Sequence, residues 1–327
     1  MLKNTIRSAL ALAGALTLSA QAADFSPKRP ECIAPASPGG GFDITCRIAV
    51  NSFEELGLLE EPMRVTYMPG GIGAVAYNTI VAQRPADADA ITAFSAGSAL
   101  NLALGKFGQF DENAVRFVSI IGTDFGVVVV KADSPYQSLK DLLEAVKADP
   151  TSVAFGAGGT VGSQDWMKVA LTVKSAGVDP RQMRFVPFEG GGEVTTALLG
   201  GHIAAMSGDA AEALGLLNSG DVRVLAVLSE DRLPGEPFAS IPTAKEQGYD
   251  VVWETYRGFY TGPDVSDEAY QFWVDTFTKA MESEKFAEIR TQRGLFELSM
   301  VGKEAEDYIK QSVADYRDLA KEVGLTQ

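Results

Sequence analysis

The sequence predicts an α/β protein of two lobes that are joined by two crossings of the chain. Short β-type runs are repeatedly followed by a glycine-rich turn and then by a helical pattern, which is typical of α/β units. About 300 residues follow an amino-terminal leader, and a chain of that length favours two cores over one. Two long apolar stretches, 117–131 and 251–260, are the candidate crossings. Paired crossings make a hinge, so the cleft between the lobes is where a site is expected.

The first residues form a predicted secretory signal peptide over 1–22. Lys3 and Arg7 precede an uncharged run over 8–18, and small residues end the segment at Ala22. A single membrane-spanning helix is the alternative, but the apolar run is too short to cross a bilayer. We therefore expect an exported protein whose mature chain starts near residue 23.

The charge balance excludes whole classes of partner. The chain carries 43 acidic and 28 basic residues, for a formal net charge of -15. Nucleic acid and anionic lipid need a basic surface, so we expect neither as a partner. A small anion remains possible, because charge repulsion is screened within about 8 Å and backbone N–H groups can bind an anion locally.

The sequence predicts three successive strand–turn–helix units in the first lobe. In each unit an apolar run leads into a turn that is rich in glycine or serine, and the first two turns open predicted helices. The strand and turn ranges are 31–35 with 38–41, 63–68 with 69–73, and 90–94 with 95–98.

The second lobe repeats this pattern, and the tail from 267 is helical. A helix is predicted over 141–148, and the predicted strands are 153–155, 184–187, 203–206 and 222–228. Since the chain crosses twice, the first lobe is discontinuous. The predicted boundaries are 23–125 with 254–327 for lobe 1, and 126–253 for lobe 2.

Glycine-rich turns between a strand and a helix are candidate anion sites. The first N–H groups of a helix are free there, and the positive end of the helix dipole adds to their attraction. Thr160 and Ser163 in the second lobe, and Ser95 and Ser98 in the first, offer hydroxyl groups that suit a carboxylate.

Two charged residues near these turns have open roles. Asp43 lies in the first helical turn, where a carboxylate either caps free N–H groups or contacts ligand. Arg257, at the second crossing, either pairs with a ligand carboxylate through two N–H groups or forms an ion pair within the protein.

The two cysteines are predicted to share one strand–helix interface. Cys32 lies on the first strand, and Cys46 lies on the apolar stripe of the following helix. In an oxidising compartment a disulfide is expected, with two buried free thiols as the alternative.

The sequence offers few of the residues that common enzyme sites need. His202 is the sole histidine and there are two cysteines, which suits neither an ordinary zinc site nor a histidine-based triad. Gly71 to Ala76 matches the GxGxxA dinucleotide fingerprint, with Asp87 and Asp89 downstream. The signal peptide argues against a nicotinamide cofactor. We therefore expect no enzyme activity, no cofactor and no metal.

The glycine turns resemble those of the extracytoplasmic receptors of the tripartite tricarboxylate transporter system, the TctC or Bug-type proteins. The similarity covers nearly the whole mature chain, and its specificity lies in the order and spacing of the segments. They are PGGGFD at 38–43, PGGIG at 69–73, FGAGGTVGS at 155–163, AGVDP at 176–180, FVPFEGG at 185–191, LLGG at 198–201, VRVLAVLS at 222–229 and IPT at 241–243.

The resemblance implies a two-lobed type II periplasmic-binding-protein fold with two interlobe crossings and a central ligand cleft. It implies a monomeric periplasmic receptor that delivers a carboxylate to the integral membrane subunits of a transporter. A sensor that presents ligand to a kinase and a periplasmic enzyme acting on an organic acid are the alternatives. The expected ligand-binding residues are Gly40, Gly41, Phe42, Asp43, Ser95, Ser98, Thr160, Val161, Gly162, Ser163, Gly191, Asp209 and Arg257.

Departures from the family pattern leave the ligand open. Tyr67 and Met68 replace an asparagine–arginine pair, the segment 88–90 replaces Asp-Gly-Tyr, and the late aspartate is displaced to Asp209. Citrate-like tricarboxylates, C4 dicarboxylates and aromatic acids all remain. The pair of motifs PGGGFD and PGGIG favours the tricarboxylates.

Overall fold

The computed structural model describes residues 25–322, so the predicted signal peptide lies outside the described residues. The strands are β1 Glu31–Ala34, β2 Arg64–Tyr67, β3 Ala90–Ser95, β4 Arg116–Lys131, β5 Ala154–Gly158, β6 Arg184–Phe188, β7 Ala205–Asp209, β8 Val222–Leu228, β9 Glu254–Thr261 and β10 Met300–Val301. The helices are α1 Gly41–Glu55, α2 Ala74–Gln83, α3 Ala96–Ala103, α4 Leu139–Ala148, α5 Gln164–Ser175, α6 Gly191–Leu199, α7 Ala210–Ser219, α8 Asp267–Met281, α9 Glu284–Gln292 and α10 Gly302–Glu322. Within 25–322, none of these helices has the length and apolar character to span a bilayer.

The strands form two sheets that share β4. In lobe 1 the order is β2-β1-β3-β9-β4, and β10 pairs with the outer side of β4. In lobe 2 the order is β6-β5-β7-β4-β8. β1 pairs in parallel with β2 and β3, and β5 pairs in parallel with β6 and β7. The turns that follow these parallel strands therefore gather at one edge of each sheet.

The chain changes lobe twice, as the sequence predicts. β4 pairs with β9 from Arg116 to Phe125, and it pairs with β7 and β8 from Gly126 onward. The return crossing is Trp253, whose N–H donates to Leu228 in lobe 2 at 2.8 Å and whose carbonyl accepts from Gly126 at 2.9 Å. The α/β class and the two-lobed fold are thus confirmed. We propose the lobe boundaries at 125/126 and 253/254, which this change of pairing supports.

Some predicted elements end elsewhere. β5 and β7 each continue past their apolar residues through a glycine-containing end, to Gly158 and Asp209. Both ends are fully buried between neighbouring elements, and tertiary pairing overrides the weak strand preference of glycine there. These extensions bring the following turns closer to lobe 1 than the apolar pattern alone indicates.

Each sheet is covered by helices on both faces. In lobe 1 the side chains of Phe53, Phe259 and Phe277 pack together beside Trp273, which is fully buried. In lobe 2 a separate cluster of valine and leucine side chains packs between the sheet and α4 and α5. The described residues form four hydrophobic clusters, of which two lie mainly in lobe 1 and two mainly in lobe 2, so each lobe has its own core packing.

A disulfide joins Cys32 of β1 to Cys46 of α1, so the predicted bond is confirmed. Both residues are fully buried, and they are 14 residues apart in the sequence. The bond fixes α1 on the sheet directly after the first glycine turn.

We expect loss of this bond to destabilise lobe 1 without changing the fold. A loop of this length contributes about 3 kcal/mol when it is closed by a disulfide. Replacement of Cys32 and Cys46 together by alanine should lower the free energy of unfolding in urea by about that amount. An unchanged urea midpoint, in oxidised protein compared under the same conditions, would contradict this expectation.

Candidate functional site

A cavity of about 370 Å³ lies between the lobes. Lobe 1 supplies the turn after β2 and the end of α3, and lobe 2 supplies the turns after β5 and β6. The lining residues are Gly71, Ile72, Asn101 and Lys106 from lobe 1, and Gly159, Thr160, Ser163, Pro187, Phe188, Glu189 and Glu193 from lobe 2. The volume suits a small organic molecule.

Ile72 and Gly159 meet across the mouth of this cavity. Ile72 has a φ of 51°, a left-handed conformation that is strained for a β-branched residue. Gly159 has a φ of +79°, and a Cβ on it would lie 2.9 Å from the Ile72 side chain. Only glycine at position 159 lets the two turns approach this closely.

Lys106 is a cation at the cavity that the sequence reasoning missed. Its Nζ donates to the carbonyl of Gly162 in lobe 2 at 3.3 Å. Among the side chains that the structure describes, no carboxylate lies within 4.0 Å of this Nζ. Burial lowers the pKa of the Lys106 ammonium. Lys106 as a whole residue is exposed, so its ammonium, which has no carboxylate partner among the described side chains, is accessible to a ligand carboxylate at the cavity.

Two buried polar groups of lobe 1 lack partners in the part of the chain that is described. Asn101 lines the cavity and is 3% exposed, and its Oδ1 accepts no hydrogen bond. Ser95, at the start of α3, is fully buried and its hydroxyl is also unpaired. Buried polar groups are normally satisfied, so these two need water or ligand.

The second-lobe turn over 160–163 faces the cavity, but its side chains have different roles. Ser163 caps α5, because its hydroxyl accepts the N–H of Trp166 at 3.2 Å and donates to Gly158 at 2.8 Å. Thr160 lines the cavity, whereas Val161 is 63% exposed. Thr160 is therefore the hydroxyl of this turn with freedom to meet a ligand.

The first-lobe turn contacts lobe 2 directly. A Cβ on Gly192 would lie 2.1 Å from the carbonyl oxygen of Pro38, so the turn packs against the start of α6. Asp43 accepts the N–H of Gly39 at 2.9 Å, and it also accepts from Arg47 and the Tyr67 hydroxyl. Its carboxylate thus serves the local structure of the turn.

A cluster of buried charges lies behind this contact. Arg257 of β9 bonds to Asp209 at 2.5 Å and to Asp124 at 3.4 Å. Lys168 of α5 bonds to Asp165 at 2.7 Å and also to Asp209. Arg257 and Asp124 come from lobe 1 strands and the others from lobe 2, so the cluster links the lobes.

The buried carboxyl groups outnumber the two cations. Burial raises the pKa of Asp124 to about 7, and the nearby carboxylate of Asp209 adds to the effect. Burial likewise raises the pKa of Glu212 to about 7, with Asp209 and Asp165 contributing. Burial lowers the pKa of Lys168, but Asp165 and Asp209 outweigh it and hold the pKa above its usual value.

Apart from Val161, which is exposed and does not line the cavity, the predicted site residues fall into two groups. Thr160 and Ser163 line the cavity, and Gly162 holds Lys106 over it. The others lie in the turn contact, in the charge cluster or among buried residues behind the cavity, and their ligand-binding role stays a prediction. They are Gly40, Gly41, Phe42, Asp43, Ser95, Ser98, Gly191, Asp209 and Arg257.

Sequence reasoning also missed Glu212, which the Asp-Ala-Ala-Glu spacing of a capping box over 209–212 could have revealed. Lys106 carried no such signal, because it follows α3 in an ordinary turn. Its position at the cavity depends on the approach of lobe 2.

Known proteins share this fold. The solved structure of the periplasmic binding protein BugD superposes with a TM-score of 0.80 at 22% identity, covering 91% of this chain and 98% of BugD. An R. palustris protein with adipate gives 0.78 at 18% identity, covering 90% and 97%. MatC from Rhodopseudomonas palustris with bound malate gives 0.74 at 18% identity, covering 89% and 98%.

Sequence comparisons give the family of the chain, whereas the structural comparisons give its fold. A Cupriavidus necator protein, the UPF0065 protein in gbd 5' region, is 25% identical over 98% of this chain and 96% of its own length. BugT of Bordetella pertussis is 29% identical over 69% of this chain and 68% of its own. The family model for the tripartite tricarboxylate transporter family receptor, TctC, matches residues 58–325. The chain therefore belongs to the TctC family of tripartite tricarboxylate transporter receptors, whose members are periplasmic solute-binding proteins.

Proposed function

We propose that this protein is a periplasmic receptor that closes around a small organic carboxylate and delivers it to the membrane subunits of a tripartite tricarboxylate transporter. The observation that carries the proposal is the cavity of about 370 Å³ between the lobes, with Lys106 at its side. Lys106 pairs with the ligand carboxylate, while Asn101 and Thr160 complete the hydrogen bonds. Lobe closure follows, because both lobes contribute to one set of contacts.

The charges around the cavity bear on the ligand class. Lys106 faces two carboxylates of lobe 2, Glu189 and Glu193, across the same cavity. Repulsion from these two carboxylates grows with each carboxylate that the ligand carries, so it is larger for a tricarboxylate than for a dicarboxylate. A dicarboxylate is therefore favoured over the citrate-like ligand predicted from the motifs. Two structural relatives contain dicarboxylates, malate with four carbons and adipate with six, which supports this class.

A thermal-shift panel tests the proposal. A ligand present at 100 times its Kd stabilises the folded state by about 2.7 kcal/mol, which raises the melting temperature by several degrees. We expect such a shift with malate or succinate, a smaller one with citrate, and none with an uncharged diol of the same length. If no acid of the panel shifts the midpoint, the receptor proposal fails.

We expect the change Lys106→Met to weaken ligand binding without harming the fold. A charge-assisted hydrogen bond is worth about 1.5 to 3 kcal/mol, so the Kd should rise by about 10- to 100-fold. Isothermal titration calorimetry with the best acid of the panel measures this change. Lys140→Met is the matched control, because Lys140 lies on the exposed face of α4. If the two variants bound the acid with equal affinity, Lys106 would not be a ligand-binding residue.

The alternative functions are separated by two further observations. Mass spectrometry of the acid after incubation with the protein detects any conversion, which would indicate an enzyme. Uptake of the labelled acid into cells that lack the receptor distinguishes transport from sensing. Uptake lost on deletion supports delivery, and unchanged uptake supports presentation to a sensor.

A further inference from the structure

A carboxylate of lobe 2 lies at the amino terminus of the first helix of lobe 1. Oε1 of Glu212 accepts the N–H of Gly41, the first residue of α1, at 2.7 Å. The free N–H groups and the dipole of a helix make this end attractive to anions. The residue before it, Gly40, has no side chain with which to cap the helix. Glu212 thus fills this anion position from the other lobe.

Only one of the two carboxyl oxygens of Glu212 takes part in capping its own helix, α7. Glu212 and Asp209 form the capping box of α7, in which Oε2 accepts the N–H of Asp209 at 3.1 Å. A capping box needs no contact outside its own helix. The bond from Gly41 to Oε1 is therefore additional, and it joins the lobes.

The surroundings leave room for a carboxylate and little else. A Cβ on Gly191 would lie 2.2 Å from Oε1, and one on Gly208 would lie 2.7 Å from Oε2. Glycine at both positions lets the carboxylate of Glu212 enter between two turns of lobe 2 and the start of α1.

A buried cation provides an independent indication of anion binding at this point. A Cβ on Gly41 would lie 2.3 Å from the guanidinium of Arg257, which is 2% exposed. Nε of Arg257 has no hydrogen-bond partner among residues 25–322. The guanidinium therefore lies beside the helix terminus that binds Glu212, and its positive charge attracts the Glu212 carboxyl group from beyond ion-pair distance.

We propose that Glu212 is an internal ligand of lobe 1: its carboxylate fastens the closed lobes at the start of α1 and excludes an external carboxylate from that position. The ligand then places its charged group in the cavity beside Lys106, and an acid with an additional carboxylate finds no second anion position. The exclusion at α1 does not depend on the proposed function, whereas its effect on ligand selectivity does.

Chemical rescue tests the internal ligand directly. Glu212→Ala leaves a space of carboxylate size beside Gly41, so we expect a lower melting temperature and its saturable recovery by formate. The recovery should exceed the effect of sodium chloride at the same concentration, up to about 100 mM, by several degrees. Asp141→Asn is the matched control, because it removes the charge of the α4 capping box without an interlobe contact. Formate should not stabilise this control or the unaltered protein more than chloride does.

Glu212→Gln separates filling of the position from its charge. The glutamine side chain still occupies the space, so formate should give no recovery. Formate that stabilises Glu212→Gln as much as Glu212→Ala acts elsewhere and overturns the proposal, as does an alanine variant that responds equally to formate and chloride. If the alanine variant does not fold in chloride, refolding in formate gives the same decision: recovery supports the internal ligand, and failure overturns it.

Selectivity gives a second, separate measurement. In Glu212→Ala the ratio of the Kd for succinate to the Kd for citrate should rise at least about tenfold over that of the unaltered protein. An unchanged ratio overturns the role in selectivity. If the unaltered protein binds neither acid, the receptor proposal is contradicted, while the formate result still decides whether Glu212 is an internal ligand.

Discussion

Replacement of Arg257 by methionine should destabilise the protein by about 3 to 5 kcal/mol, because it leaves buried carboxylates without their cation. Arg257 bonds to Asp209 and Asp124, and all three side chains are at most 3% exposed. Methionine fills much of the same volume, so the loss reports the uncompensated charge rather than a cavity. Urea unfolding followed by circular dichroism measures it.

Two companion variants make this expectation specific. Arg181→Met removes a pair with Asp179 at the surface, where Arg181 is 86% exposed, and should leave the urea midpoint unchanged. Asp124→Asn added to Arg257→Met removes one unpaired carboxylate and should recover part of the loss. If Arg257→Met were no more damaging than Arg181→Met, the buried cluster would not stabilise the closed lobes.

The melting temperature should fall by several degrees as the pH rises from about 5 to about 8. In the folded protein the pKa of Glu212 is raised from 4.5 to about 7, and that of Asp124 is raised from 3.8 to about 7. The folded state therefore binds more protons than the unfolded chain between these values. The resulting stability is fully present below about pH 4, where the unfolded groups are also protonated, and it is lost as the pH passes 7.

The remaining members of the cluster define the control for this pH dependence. Asp165, whose pKa is also raised by burial, changes stability in the same direction. Lys168 and Arg257 keep their charge throughout this pH range, so they do not oppose the effect. A protein with both Glu212→Gln and Asp124→Asn should show a flatter profile of melting temperature from pH 5 to 8. A profile as steep as that of the unaltered protein would assign the pH dependence to other groups.

Much of the fold follows from local patterns in the sequence. The strand–turn–helix units, the two crossings and the bond between Cys32 and Cys46 depend on periodicity and on residues that are near in the chain. The turn over 160–163 was also found in this way, since glycine beside hydroxyl residues after a strand marks it. These features were predictable because each is fixed within one or two neighbouring elements.

The site itself depends on contacts between distant residues. Arg257 was open to two roles from the sequence, and only the pairing of both β9 and β7 with β4 brings it to Asp209. Lys106 became a candidate for ligand binding because Gly162, 56 residues later, lies over it. Neither contact leaves a periodic signal, because each joins side chains or turns from separate lobes.

The sequence by itself determined the two lobes, their connections and the places where helices begin with free N–H groups. The tertiary structure alone decided which group occupies the start of α1. That group is the carboxyl of Glu212, 171 residues further along the chain, and beside Lys106 a cavity remains. The physical reason is that hydrophobic periodicity acts locally, whereas burial of charge depends on everything that surrounds a group once the lobes have closed.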